Sequence, residues 1–181
     1  MELSLWTVVS KTIVVHTVTY FAVGVLAMLL FRYSKRLAGS SVSPAMRSTD
    51  DPLVRAGVLF QPVRGALFGL VFYLLRDVVF RPPTGWLVLW AALVVIGIVS
   101  TFGPARGSIE GFIYLKPASD RMWGGVLEVL GQSLLLAAMT SAWVRHPDLG
   151  WLNWTLVVLF AISLLLPALG LLAGARSSAG K

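Results

Sequence analysis

Apolar residues fall along this chain in five long runs, over about 6–31, 56–80, 86–102, 122–144 and 151–173, parted by short polar connections. Each run lies within or above the roughly 17–25 residues with which a helix crosses a bilayer. Polar residues inside the runs recur at helical spacing: Thr12, His16, Tyr20 and Gly24 stand four apart, as do Glu128 and Gln132. Such offsets place side chains on one helix face. The pattern predicts an all-α, polytopic integral membrane protein with five transmembrane helices in a single membrane domain over 1–181. The first run is too long for the apolar part of a signal peptide and has Lys11 within it, so it reads as an uncleaved helix.

The connections are of three kinds. Residues 32–55 form the longest polar stretch, with the Gly, Ser and Pro content of a loop, and carry Arg32, Lys35, Arg36, Arg47 and Arg55 against Asp50 and Asp51. Arg81-Pro82-Pro83-Thr84-Gly85 is a turn, because two prolines cannot continue a helix. The 104–121 stretch is broken by Gly107 and Gly111, yet Ile109, Phe112, Ile113, Tyr114 and Leu115 are too apolar for a free linker. An interfacial or re-entrant segment reconciles the two features.

Composition sharpens the picture. The chain is 57% hydrophobic and 13% charged, with a mean hydropathy of +0.81, whereas soluble domains carry about 25% charged residues. No room remains for a separate soluble catalytic domain. The net charge of +7 would suggest nucleic acid in a soluble protein. Here the basic residues cluster at the ends of apolar runs, so the expected partner is the bilayer and not nucleic acid. The absence of cysteine excludes a disulfide framework, a thiol nucleophile and thiolate-held clusters.

Charge also orients the helices. Five crossings put Arg32, Lys35, Arg36, Arg47, Arg55, Arg106, Lys116, Arg121, Arg176 and Lys181 on one side. Arg76, Arg81, Arg145 and, at its edge, Lys11 lie on the other. The positive-inside rule sets the N-terminus outside and the C-terminus in the cytoplasm. The compact loops and basic composition suggest a bacterial cytoplasmic (inner) membrane.

Candidate chemistry lies in the few polar residues within the runs. The stretch LFQPVRGALFGLVFYLLRD, 59–77, holds Gln61, Pro62 and Arg64, and its Gly65 and Gly69 form a small-xxx-small pair that admits another helix closely. An intramembrane arginine needs a partner, a hydrated cavity or a route to the headgroups. At 1.5 Å per residue, Arg64 and Glu128 lie ~12 and ~9 Å in from the cytoplasmic side, and Gln132 and His16 are each ~15 Å deep. The expected site is a polar cluster of Arg64, Glu128, Gln132 and His16, with Gln61 and Tyr20 around it and Arg106 and Glu110 as loop candidates. A purely structural role for the Arg64–Glu128 pair, fixing how helices pack, is the competing reading.

Catalytic and metal signatures are sparse. There is no HExxH, no G-x-S-x-G and no Walker or GxGxxG pattern, and His16 and His146 are the only histidines. No metal and no cofactor is expected. The expected function is an accessory subunit or a small carrier of a polar or anionic solute, with a homo-oligomer or membrane-protein partner in the first case. The alternative is a lipid- or quinone-binding protein, with Phe60, Phe68, Phe72 and Tyr73 beside the tail. The last choice is an intramembrane enzyme using Glu128 or His16 as base.

Overall fold

The computed structural model describes residues 3–31, 51–103, 105, 107–115 and 122–179. It is helical, with no strand among these residues. The elements are α1 (Leu5–Phe31), α2 (Pro52–Arg55), a 3-10 turn (Gly57–Phe60), α3 (Gln61–Leu74), α4 (Arg76–Val79), α5 (Gly85–Val94), a π turn (Val95–Val99), α6 (Ile109–Tyr114), α7 (Met122–Arg145) and α8 (Gly150–Ala179). Among the described residues four segments are long and apolar enough to cross a membrane: Leu5–Leu30, Gly57–Leu74, Gly125–Arg145 and Gly150–Ala173. The polar loop expected over 32–55 lies outside the described residues except for its last part, where Asp51 caps α2 by accepting from the Leu53 N–H at 2.8 Å.

Helix α1 is the centre of the bundle. A third of its apolar window is buried, against 11% for α8, and α3, α7 and α8 all pack on it while α5 packs on α7. Its approach to α3 is set by the two glycines. A Cβ built on Gly65 would stand 2.8 Å from the Ile13 Cα, and one on Gly69 2.8 Å from the Val9 Cα. Backbone therefore meets backbone over a full turn, the close packing that small residues allow in lipid. The expectation from the small-xxx-small pair holds, and α1 is the helix it admits.

These pairings also fix direction. Gly69 lies by Val9 and Gly65 by Ile13, so α3 runs antiparallel to α1. Lys11, near the start of α1, donates from Nζ to the Trp143 carbonyl at 2.7 Å near the end of α7, so α7 is antiparallel to α1 as well. Leu3, Phe80, Arg81, Val144 and Arg145 line one shallow cleft at that same end. Since α3 finishes there, α5 begins at that end, where Arg145 donates to the Pro83 carbonyl at 3.2 Å, and makes its return packed on α7.

That return is shorter in helix than the pattern over 86–102 predicts. After Val94 the ladder loosens into a π turn, closed by Ser100 N–H to the Val95 carbonyl at 2.7 Å, and Ser100 leaves helical geometry. Gly103-Pro104 follows in sequence and cannot resume a helix. Gly85–Val99 rises roughly 22 Å, less than the ~30 Å of a hydrocarbon core. The run over 56–80 is likewise divided, because Leu75 departs from helical angles. Arg76 covers the break: its guanidinium lies 4.4 Å from the Tyr73 ring and donates to the Tyr73 carbonyl at 3.1 Å.

The α7–α8 corner shows how a helix end left without a backbone donor is satisfied by side chains. The carbonyl of Trp143 would ordinarily accept from residue 147, which is Pro147 and has no N–H. Lys11 supplies the donor, adding a cation near a helix C-terminus and lying 5.1 Å from the Trp143 ring. The Trp143 indole N–H donates to Asn153, whose amide donates to the Pro147 carbonyl at 3.0 Å. Lys11→Met should lower stability by about 1.5–3 kcal/mol, the range for a hydrogen bond to a charged group. Thermal unfolding in mild detergent measures it, and an unchanged midpoint would mean that the Trp143 carbonyl finds another donor.

Candidate functional site

Most polar side chains buried in α1 are satisfied within their own helix. Thr12 donates to the Val8 carbonyl at 2.7 Å, Thr17 to Ile13 at 2.8 Å and Thr19 to Val15 at 2.8 Å. This lets hydroxyls sit in an apolar interior without a second helix. His16, 1% exposed, is different. Its ring reaches across to α3, where Nε2 lies 3.1 Å from Gln61 Oε1.

The amide of Gln61 determines the direction of that bond. Gln61 Nε2 donates to the Gly57 carbonyl at 3.0 Å, so Oε1 is the atom facing the imidazole and Nε2 of His16 carries the proton. The Gln61 backbone N–H turns to the Val58 carbonyl in the 3-10 turn that precedes Pro62, so the side-chain amide reaches Gly57 separately. Nδ1 of His16 is then a bare acceptor, buried and without a hydrogen-bond partner. Phe68 meets the imidazole edge-on at 5.1 Å and Tyr20 lies 6.4 Å away. Phe68 stacks on Phe72 at 6.0 Å, and the guanidinium of Arg64 stands 5.6 Å from the Phe68 ring.

The polar residues expected in one cluster thus divide. His16, Gln61 and Tyr20 gather along the α1–α3 contact without Arg64, and Gln61, expected at the periphery, is the residue bonded to His16. Glu128 and Gln132 are half-buried on α7, which packs on α1 and forms no extended contact with α3. Among the described residues no carboxylate pairs with Arg64, and Glu128 is engaged in an interaction of its own. The expected meeting of Arg64 and Glu128 fails because α1 stands between their helices. Matched depth along the membrane normal does not make two helices neighbours.

Arg64 is exposed, on the outer face of α3. Gln61, Gly65, Gly69 and Phe72 form the buried face, leaving Phe60, Val63, Leu67, Leu70, Val71 and Leu74 exposed around the arginine. The loop candidates lie apart from this group. Glu110 is in the first turn of α6, which packs extensively on no long helix, and Arg106 lies outside the described residues.

The glycines of GSIEG have a local explanation. Gly107 has φ +91°, a conformation that side chains strain. Ser108 accepts from the Gly111 N–H at 3.0 Å and donates to the Ala105 carbonyl at 2.7 Å, and a Cβ on Gly111 would run into that carbonyl oxygen. Gly111→Ala should open this turn, seen as faster amide exchange at Gly111 and Phe112 with the long helices unchanged. Equal exchange in the variant would mean that the turn is not held this way.

Sequence reasoning missed the Lys11–Trp143 bond, although Pro147 four residues after Trp143 was the available signal. No protein-family model, no curated protein and no solved structure matches this chain. The site is read from its own chemistry.

Proposed function

We propose that the chain is a small integral-membrane accessory subunit that acts by lateral contact within the bilayer. The observation that carries this reading is Arg64, a permanent cation on the exposed apolar face of α3. An intramembrane charge facing lipid is costly unless something covers it. The long helices present no other such cation on an apolar face among the described residues: Lys11 is taken up by α7, and Arg55, in the short α2 outside the long spans, donates to the Gly170 carbonyl at 3.4 Å. The reading includes five crossings, with Gly85–Val99 and the interfacial α6 making the short third one, the N-terminus outside and the C-terminus in the cytoplasm of a bacterial inner membrane. Exposed Phe102, Phe112, Ile113 and Tyr114 suit an interfacial position for α6 and its approach.

A photoreactive residue placed at Leu67 tests it in the native membrane, with one at Leu165 of α8 as control. Crosslinks to one discrete membrane protein from Leu67 and not from Leu165 are the expected result. Crosslinks to lipid alone from both positions would overturn the proposal. A small carrier of a polar or anionic solute is the second reading, favoured by the bare Nδ1 of His16 on the helix pair that carries Arg64.

A further inference from the structure

Resting on the subunit reading, we infer that the outer face of α3 docks a transmembrane helix that presents a carboxylate, Asp or Glu, at the depth of Arg64. The depth follows from the chain: Arg64 comes seven residues after Gly57, where the apolar span begins, or about 11 Å into the core. Arginines at such positions ordinarily reach back toward the headgroups. This one is turned otherwise, because its guanidinium lies against Phe68, one turn further into the span. Headgroup-level cation at this end of α3 is already supplied by Arg55, exposed beside the Gly170 carbonyl.

The chemistry of the occupant is set by the outer face of α3. Five N–H donors require acceptors, and the exposed residues flanking Arg64 on that face, Val63 and Leu67, have apolar side chains that offer none. A planar fork matches a carboxylate with two parallel hydrogen bonds, and the pair gains most where water is absent. A lipid phosphate carries the same charge but belongs to the headgroup layer, above the position Phe68 assigns to the guanidinium. The flanking apolar residues at 60, 63, 67, 70, 71 and 74 recur every three or four positions, as in a helix-packing stripe. A helix laid on this stripe would meet Arg64 with an acidic residue at the same depth, about 11 Å from its end.

The test uses the full chain in phosphatidylcholine vesicles with a fluorescent poly-leucine transmembrane peptide that holds one Glu about 11 Å from its end. Energy transfer should report association with the Glu peptide, weakened about tenfold or more for the Gln peptide and for Arg64→Leu. Arg64 is exposed, so Arg64→Leu should keep its helicity, and circular dichroism checks this. Arg64→Glu should reverse the preference and bind a peptide carrying Arg. Equal binding of the Glu and Gln peptides, or undiminished binding by Arg64→Leu, would overturn the inference. So would loss of the Glu peptide when phosphatidylglycerol replaces phosphatidylcholine, which would assign the site to a lipid phosphate. The two readings fail separately: a Leu67 crosslink to a discrete protein that survives Arg64→Leu removes the carboxylate and leaves the subunit, whereas no protein crosslink at all removes the subunit.

Discussion

Gly65→Val should part α1 from α3 and lower stability by at least the roughly 1–3 kcal/mol of an overpacked core. The reason is the identity of the obstructing atoms. A Cβ at 65 meets the Ile13 Cα at 2.8 Å and the Ile13 carbonyl oxygen at 3.3 Å, and backbone cannot rotate away as a side-chain end can. The same substitution at Gly69 meets Val9 in the same way. Gly24→Val is the control, since nothing lies within 4 Å of a Cβ there. Thermal unfolding of all three in mild detergent should show large losses at 65 and 69 and little change at 24. Similar midpoints for the three would contradict the close α1–α3 approach, and with it the His16–Gln61 contact that depends on it.

Gln61→Leu should cost about 1–3 kcal/mol, because it strands a buried donor. The buried His16 Nε2–H loses its acceptor, while the Gly57 carbonyl keeps the backbone donor of its 3-10 turn. His16→Leu removes the reason for the Oε1 position but leaves the Gln61–Gly57 bond, so its cost should be the smaller. With both replaced, the polar mismatch at the helix contact is gone. The interaction in a double-mutant cycle should be favourable by about 1–3 kcal/mol. Strictly additive losses would mean that the two side chains do not act as a pair. If the double variant is stable and still engages a partner through α3, His16 is a packing residue and Arg64 alone carries the contact. If it is stable but no longer functions, the bare Nδ1 belongs to the working site and the carrier reading gains.

Much of this arrangement was open to sequence reasoning because lipid restricts what a chain can do. Backbone groups in hydrocarbon must bond internally, so long apolar runs have to be helices, and Gly65 and Gly69 announce a close helix neighbour. The break at Pro82-Pro83, the position of Pro62 at the start of α3 and the special role of GSIEG follow from the conformational limits of proline and glycine. The lengths were harder to read. Nothing in the charge-free 86–102 run marks the point where α5 passes into a π turn, and α3 gives way to α4 at Leu75 beside the Arg76–Tyr73 contact.

The amino-acid sequence by itself determined the class of protein, the membrane-compatible helices and the residues with chemistry to offer, since these follow from local composition and spacing. Only the tertiary structure decided which of those residues meet. Depth is one coordinate, and a helix also has an azimuth and a set of neighbours. Arg64 and Glu128 share a depth, but α1 lies between their helices. His16 and Gln61 were brought together by the two glycines that let α1 and α3 touch, and the same rotation of α3 that buries Gln61 turns Arg64 outward.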